Sequence, residues 1–148
     1  MTPAMLVATL GGAGLMKPAP GTWGSAVVLP LALAGPVGCL ALAALFTAAG
    51  AWAAREVLRD RAEDPGWFVA DEAAGMLLAL AALPAATLPG VLAAFALFRL
   101  FDIVKPWPVS WADARGGALG VMLDDLLAGA MAAAVLLGAA WLWPGALG

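Results

Sequence analysis

The 148-residue chain is 64% hydrophobic and only 11% charged, with a mean hydropathy of +0.97 and a formal net charge of −3. A water-facing domain clothes itself with about 25% charged residues, so a soluble globular protein is excluded. The composition predicts one membrane-embedded domain over residues 1–148. Its lone cysteine, Cys39, rules out a disulfide within the chain and reads as a small buried hydrophobe.

Residues 1–15 lack a positively charged start, so no secretory leader is expected. Next comes Lys17-Pro18-Ala19-Pro20-Gly21-Thr22-Trp23-Gly24-Ser25, a turn feeding a helix start. Taken alone it reads first as a Pro-Gly turn with Thr or Ser capping a helix. Its backbone N–H groups, with Lys17, Thr22, Gly24 and Ser25, could also cradle a phosphate. It is not a Walker loop, because Gly-x-x-x-x-Gly-Lys-Ser/Thr is not met.

Residues 22–34 are apolar but short for a crossing, and Gly35-Pro36 breaks them. Residues 37–54 are uninterrupted and long enough to span. A polar run with three arginines follows at 55–64. Residues 66–83 are apolar except for Asp71 and Glu72, residues 88–104 except for Arg99 and Asp102, and residues 118–143 except for Asp124 and Asp125. Between the last two lies a polar stretch, 105–117. The expected fold is an all-α, polytopic membrane bundle with short or broken helices. Threading these segments alternately through a bilayer leaves the turns at 35–36, 85–89 and 144–148 without charge. Every lysine and arginine then falls on the opposite side, which the positive-inside rule makes cytoplasmic. Tryptophans at 23, 52, 67, 107, 111, 141 and 143 read mostly as interfacial anchors.

Five carboxylates enter the apolar segments from that charged side: Asp71, Glu72, Asp102, Asp124 and Asp125. A charge at mid-bilayer costs roughly 2.5–3.5 kcal/mol even on the lenient insertion scale. Five left uncompensated would cost on the order of 10 kcal/mol, as much as a domain's net stability. They are therefore expected to share a polar cavity holding cations, at the cytoplasmic mouth of the bundle. Gly75 follows Glu72 by three residues, Gly129 follows Asp125 by four and Gly120 precedes Asp124 by four. Those spacings put a bare backbone patch on the acids' faces, where another helix or a ligand can approach.

Arg99, Asp102 and Lys105 follow at i, i+3 and i+6, which brackets Asp102 with cations along one helical side. Hard carboxylate oxygens suit Mg²⁺, which prefers one or two carboxylates plus water and substrate phosphate. The neighbouring cations suit phosphate oxygens. The chain has no histidine, which removes histidine phosphoenzymes and His-based acid–base work, and Cys39 is placed in mid-span. Carboxylate-and-metal chemistry on a phosphate remains.

Four motifs occur in order: Pro20-Gly-Thr-Trp-Gly-Ser25, Asp71-Glu72 with Gly75, Phe98-Arg-Leu-Phe-Asp-Ile-Val-Lys-Pro-Trp-Pro108, and Gly120-Val-Met-Leu-Asp-Asp-Leu-Leu-Ala-Gly129. Together they make a chain that resembles the phosphatidylglycerophosphatase A family of bacterial inner-membrane lipid phosphatases, over about residues 10–143. The resemblance implies a magnesium-dependent hydrolase converting phosphatidylglycerophosphate to phosphatidylglycerol in phospholipid biosynthesis. Joined to the reading above, it assigns Mg²⁺ to Asp71, Glu72, Asp124 and Asp125. The catalytic set becomes Asp71, Glu72, Asp102, Asp125, Arg99 and Lys105, with substrate contacts from Lys17, Thr22, Gly24 and Ser25. The expected partners are the lipid substrate and membrane lipids, with no nucleic acid; the oligomeric state is open.

The rival reading is a transporter or proton-relay subunit using the same carboxylates. It would call for polar residues at depth from both sides and an internal repeat, and neither is visible. A CDP-alcohol phosphotransferase would carry Asp-Gly-x-x-Ala-Arg followed by Gly-x-x-x-Asp-x-x-x-Asp, which this chain lacks.

Overall fold

The computed structural model describes residues 1–59 and 65–148. The second half of the expected polar run at 55–64, with Arg61, lies outside the described residues. Among the described residues the chain is all-helical, with no strand.

Helix α1 (Pro3–Ala8) starts at Thr2, whose side chain accepts from the Met5 N–H. A 3₁₀ segment (Leu10–Leu15) leads to α2 (Pro20–Val27), entered through Ala19 in the left-handed region and then Pro20 in the first turn. The apolar stretch expected over 22–34 does not form one helix. Pro30 cannot donate to the preceding turn, and the chain tightens into a second 3₁₀ segment, Leu29–Ala34. Helix α3 (Gly35–Val57) restarts through Gly35 at φ 74°, with Pro36 in its first turn.

The stretch expected over 66–83 contracts most. Only Ala70–Leu80 is helical (α4), 11 residues or roughly 16 Å, about half the hydrocarbon thickness of a bilayer. Nine of those residues are buried, leaving out only Glu72 and Leu78. A helix apolar all round is a core helix. Accordingly α4 occupies the centre and packs against α2, α3, α5 and α7.

Helix α5 (Leu88–Val104) begins at Thr87, whose hydroxyl accepts from the Gly90 N–H, and ends at Lys105 in the left-handed region. The polar stretch after it contains a short helix, α6 (Val109–Asp113), before α7 (Gly117–Leu142). Trp107 before α6 and Trp111 within it lie exposed, with the Arg115 guanidinium 4.0 Å above the Trp111 ring.

Among the described residues two stretches are long and apolar enough to cross a membrane: Pro20–Val57, which takes in α2, the second 3₁₀ segment and α3, and Gly117–Leu142. Of their most apolar windows only 22% and 28% is buried inside the protein. A soluble core helix would be mostly covered, so this outward apolar surface marks a membrane-associated protein.

Helices α4 and α7 meet where neither has a side chain. A Cβ on Gly129 would overlap the Gly75 carbonyl, and one on Gly75 would overlap the Asp125 carbonyl and the Phe98 ring. The bare patches beside the acids therefore receive a helix. The charges gather at one end of this seam. At the other end Thr87 Oγ1 bonds the Leu147 carbonyl, tying the α4–α5 turn to the C-terminal tail.

Candidate active site

Asp71 and Glu72 stand in the first turn of α4, where the helix dipole favours anions. The α4–α7 seam brings Asp125 opposite them. One oxygen from each of the three lies within 4.8 Å of the others. Asp71 and Asp125 are only 2% and 4% exposed, so water does little to screen their mutual repulsion.

Glu72 Oε2 and Asp125 Oδ1 are buried and have no hydrogen-bond partner among the described residues. A buried polar atom without a partner is costly and calls for an explanation. Two carboxylate oxygens, acceptors only when ionised, converge on a third carboxylate. The donor set is hard, anionic and oxygen-only, and it fits a divalent cation such as Mg²⁺.

Arg99 bonds Asp102 across one turn of α5, and its Nε is buried with no partner among the described residues. Asp102 also approaches Asp125 within hydrogen-bonding reach, and the charges of Asp102 and Arg99 both reach Glu72. The start of α2 closes the cluster on another side. A Cβ on Gly21 would strike the Glu72 carboxylate and lie 3.2 Å from an Arg99 guanidinium nitrogen.

The structure separates the adjacent pair Asp124 and Asp125. Asp124 Oδ1 accepts the Asp125 N–H at 2.9 Å, and its Oδ2 accepts from Lys105 Nζ at 2.6 Å. Both Asp124 oxygens are thus engaged, and Asp124 is not among the three acids whose oxygens converge. Lys105 likewise leaves the place its spacing suggested. The helix ends in the left-handed turn at Lys105 (φ 50°), so the i+3 register with Asp102 is lost. Its ammonium instead bridges Asp124 and Asp113, the latter at 2.9 Å. Nothing in the sequence singled out Asp113.

Burial alone would weaken the proton affinity of Lys105, but hydrogen bonds and charge from Asp124 and Asp113 outweigh it and raise its pKa. A raised folded-state pKa contributes stability fully below the unfolded value of about 10.4 and loses it only as pH rises through the folded one. Lys105 should therefore contribute a constant stability between about pH 6 and 9. Lys105→Ala strands Asp124 and is expected to cost on the order of 3 kcal/mol. The thermal midpoint in detergent should drop, and Asp124→Asn in the same chain should recover part of the loss.

The turn before α2 divides in the same way. Lys17 is exposed and Thr22 half-buried. Ser25 is fully buried and donates to the Gly21 carbonyl at 2.8 Å. Gly24 packs on Val69, where a Cβ would come within 2.6 Å of the Val69 Cβ. Both were expected at the substrate, and both are buried in the protein where α2 packs against the start of α4.

Fold and site together define a membrane-associated helical protein with a buried, cation-ready acidic cluster. Its sequence says which. The profile of the phosphatidylglycerophosphatase A family matches residues 6–140. Phosphatidylglycerophosphatase A of Haemophilus influenzae is 39% identical over 92% of this chain and 88% of its own. The Escherichia coli protein of the same name is 34% identical over 96% and 86%. A Bacteroides thetaiotaomicron protein, provisionally named a phosphatidylinositol-3-phosphatase, is 40% identical over 93% of each chain. No solved structure matches. The chain belongs to the phosphatidylglycerophosphatase A family, and is a phosphatase acting on a phosphoric monoester.

Proposed function

We propose that the protein removes the terminal phosphate of phosphatidylglycerophosphate, giving phosphatidylglycerol, and that it does so with Mg²⁺. The observation that carries this reading is the convergence of Asp71, Glu72 and Asp125, with two buried oxygens unpartnered, beside the unpartnered Nε of Arg99. Mg²⁺ would be held by those three carboxylates. When bound it supplies charge neutralisation and orientation for a phosphoryl group.

The remaining work falls to the chain's own residues. Arg99, held in place by Asp102, offers its free Nε–H to a phosphoryl oxygen as charge spreads over the group in a loose transition state. Asp102 orients the attacking water through the oxygen not engaged by Arg99, takes its proton as the new P–O bond forms, and returns a proton to the glycerol oxygen as the old P–O bond breaks. Lys105 is bound to Asp124 and Asp113, and contributes positive charge at the mouth. Lys17 and Thr22 contact the headgroup, while Gly24 and Ser25 serve by seating α2. The chain lacks the Asp-x-Asp-x-Thr signature of haloacid-dehalogenase-like phosphatases, which favours direct water attack over an aspartyl-phosphate.

The reading places one domain, residues 1–148, across a bacterial inner membrane in several passes, with the site at its cytoplasmic mouth. The one-sided distribution of lysine and arginine supports that orientation. A reporter fused after Leu147 is expected to behave as non-cytoplasmic, and reporters in residues 55–63 and 105–115 as cytoplasmic. A cytoplasmic signal after Leu147 would overturn the orientation.

Purified protein supplied with phosphatidylglycerophosphate tests the function. Inorganic phosphate should appear with Mg²⁺ and cease with chelator. Faster release from phosphatidylinositol-3-phosphate would reassign the headgroup while keeping the chemistry. Proton or ion flux in vesicles without phosphate release would favour the transporter.

A further inference from the structure

We propose that Gly21 is a positioning residue for the acidic cluster. Its missing side chain sets where the Glu72 carboxylate and the Arg99 guanidinium stand, and so sets the affinity for a divalent cation. The inference rests on the reading that Asp71, Glu72 and Asp125 bind that cation.

The geometry distinguishes Gly21 from its neighbour. Built onto Gly21, a Cβ would overlap Glu72 Oε1 and lie 3.3 Å from Glu72 Cδ and 3.2 Å from an Arg99 nitrogen. These are the far ends of flexible side chains, so the fold can yield by moving them. Built onto Gly24, three residues along the same helix, it would meet the Val69 Cβ at 2.6 Å, next to the backbone that begins α4. There only a backbone shift makes room. The φ of neither glycine is in the left-handed region, so an alanine adds bulk without backbone strain.

The unpartnered Glu72 Oε2 gives this position a consequence beyond packing. Displacing Oε1 moves the Glu72 carboxylate, one of the three acids that converge, and Arg99 with it. Residues that orient metal ligands typically alter metal affinity by 10- to 100-fold.

The test measures equilibrium Mn²⁺ binding and the metal-free thermal midpoint of the full chain in nanodiscs. Gly21→Ala should weaken Mn²⁺ binding on the order of tenfold or more, with little change in the metal-free midpoint. Gly24→Ala should lower the midpoint while the folded protein binds Mn²⁺ normally. Glu72→Asp, one methylene shorter, should weaken binding in the parent chain but cost less, or restore affinity, when Gly21→Ala is present.

Parent-like Mn²⁺ affinity in Gly21→Ala overturns the proposal while the cation reading stands. A Gly21→Ala chain that does not fold, and that Glu72→Asp does not restore, makes Gly21 a packing glycine like Gly24 and also overturns it. Absence of Mn²⁺ and Mg²⁺ binding by the parent chain fells the cation reading and the proposal together.

Discussion

Asp125→Asn is expected to reduce phosphate release about a thousandfold at saturating Mg²⁺, while the protein still inserts, purifies and melts cooperatively. On the proposed reading Asp125 is one of three cation ligands, and its loss forfeits several kcal/mol of transition-state charge stabilisation, each 1.36 kcal/mol being tenfold in rate. The metal-free fold should not suffer, because Asp125 faces Glu72 and Asp71 and an amide removes a like charge from the cluster. Asp124→Asn supplies the contrast from the adjacent position. It breaks the pair with Lys105, so the thermal midpoint should fall and activity should persist at a reduced level. Equal and complete loss in both variants would place Asp124 with the ligands. Near-normal activity in Asp125→Asn would make the cluster structural.

A methyl group at the helix seam should do comparable damage from a residue that never meets substrate. Gly75→Ala and Gly129→Ala each thrust a Cβ into the backbone of the opposing helix, where no rotamer change can relieve it. Overpacking costs about 1–3 kcal/mol where side chains can adjust, and a backbone obstruction belongs at the upper end. Forcing α4 from α7 also parts Asp71 and Glu72 from Asp125, so activity should fall steeply and excess Mg²⁺ should not restore it. Gly138→Ala, further along α7 where an added Cβ would meet nothing within 4 Å, should leave activity intact and raise stability by about 0.5–1 kcal/mol. Measuring thermal midpoint and phosphate release for all three separates seam disruption from general intolerance of helix substitutions.

Much of this arrangement was legible in the chain. Residues 88–104 read correctly to both ends, because Thr87 and Pro89 start a helix and Lys105-Pro106 stops one. Of the five acids expected to share one cavity, Asp71, Glu72 and Asp125 converge while Asp124 turns to Lys105, and the glycine spacing announced a close approach. Other features depend on contacts no local pattern encodes. Asp124 and Asp125 are neighbours on α7, about 100° apart around its axis, and only the placement of α4 and Lys105 decides which faces the cluster. The contraction of residues 66–83 to an 11-residue core helix reflects burial on nearly every face, which an Ala-rich stretch shares with a true span. The Ser25 hydroxyl turns back to its own helix backbone, an option open to any serine there.

The depth of the seam beyond the acids has an electrical meaning. Past Asp71 and Asp125 the interior is Met76, Leu77, Leu80, Ala128, Ala132 and Leu136, each buried. The buried polar side chains among the described residues are Thr9, Ser25, Asp71, Asp124 and Asp125, and none lies along that deeper stretch. A bilayer holding 100 mV stores about 2.3 kcal/mol for each elementary charge carried across it, and this interior offers no conductive path by which to draw on it or leak it away. On the proposed reading the site opens to one side above an apolar floor, so turnover should be indifferent to membrane voltage.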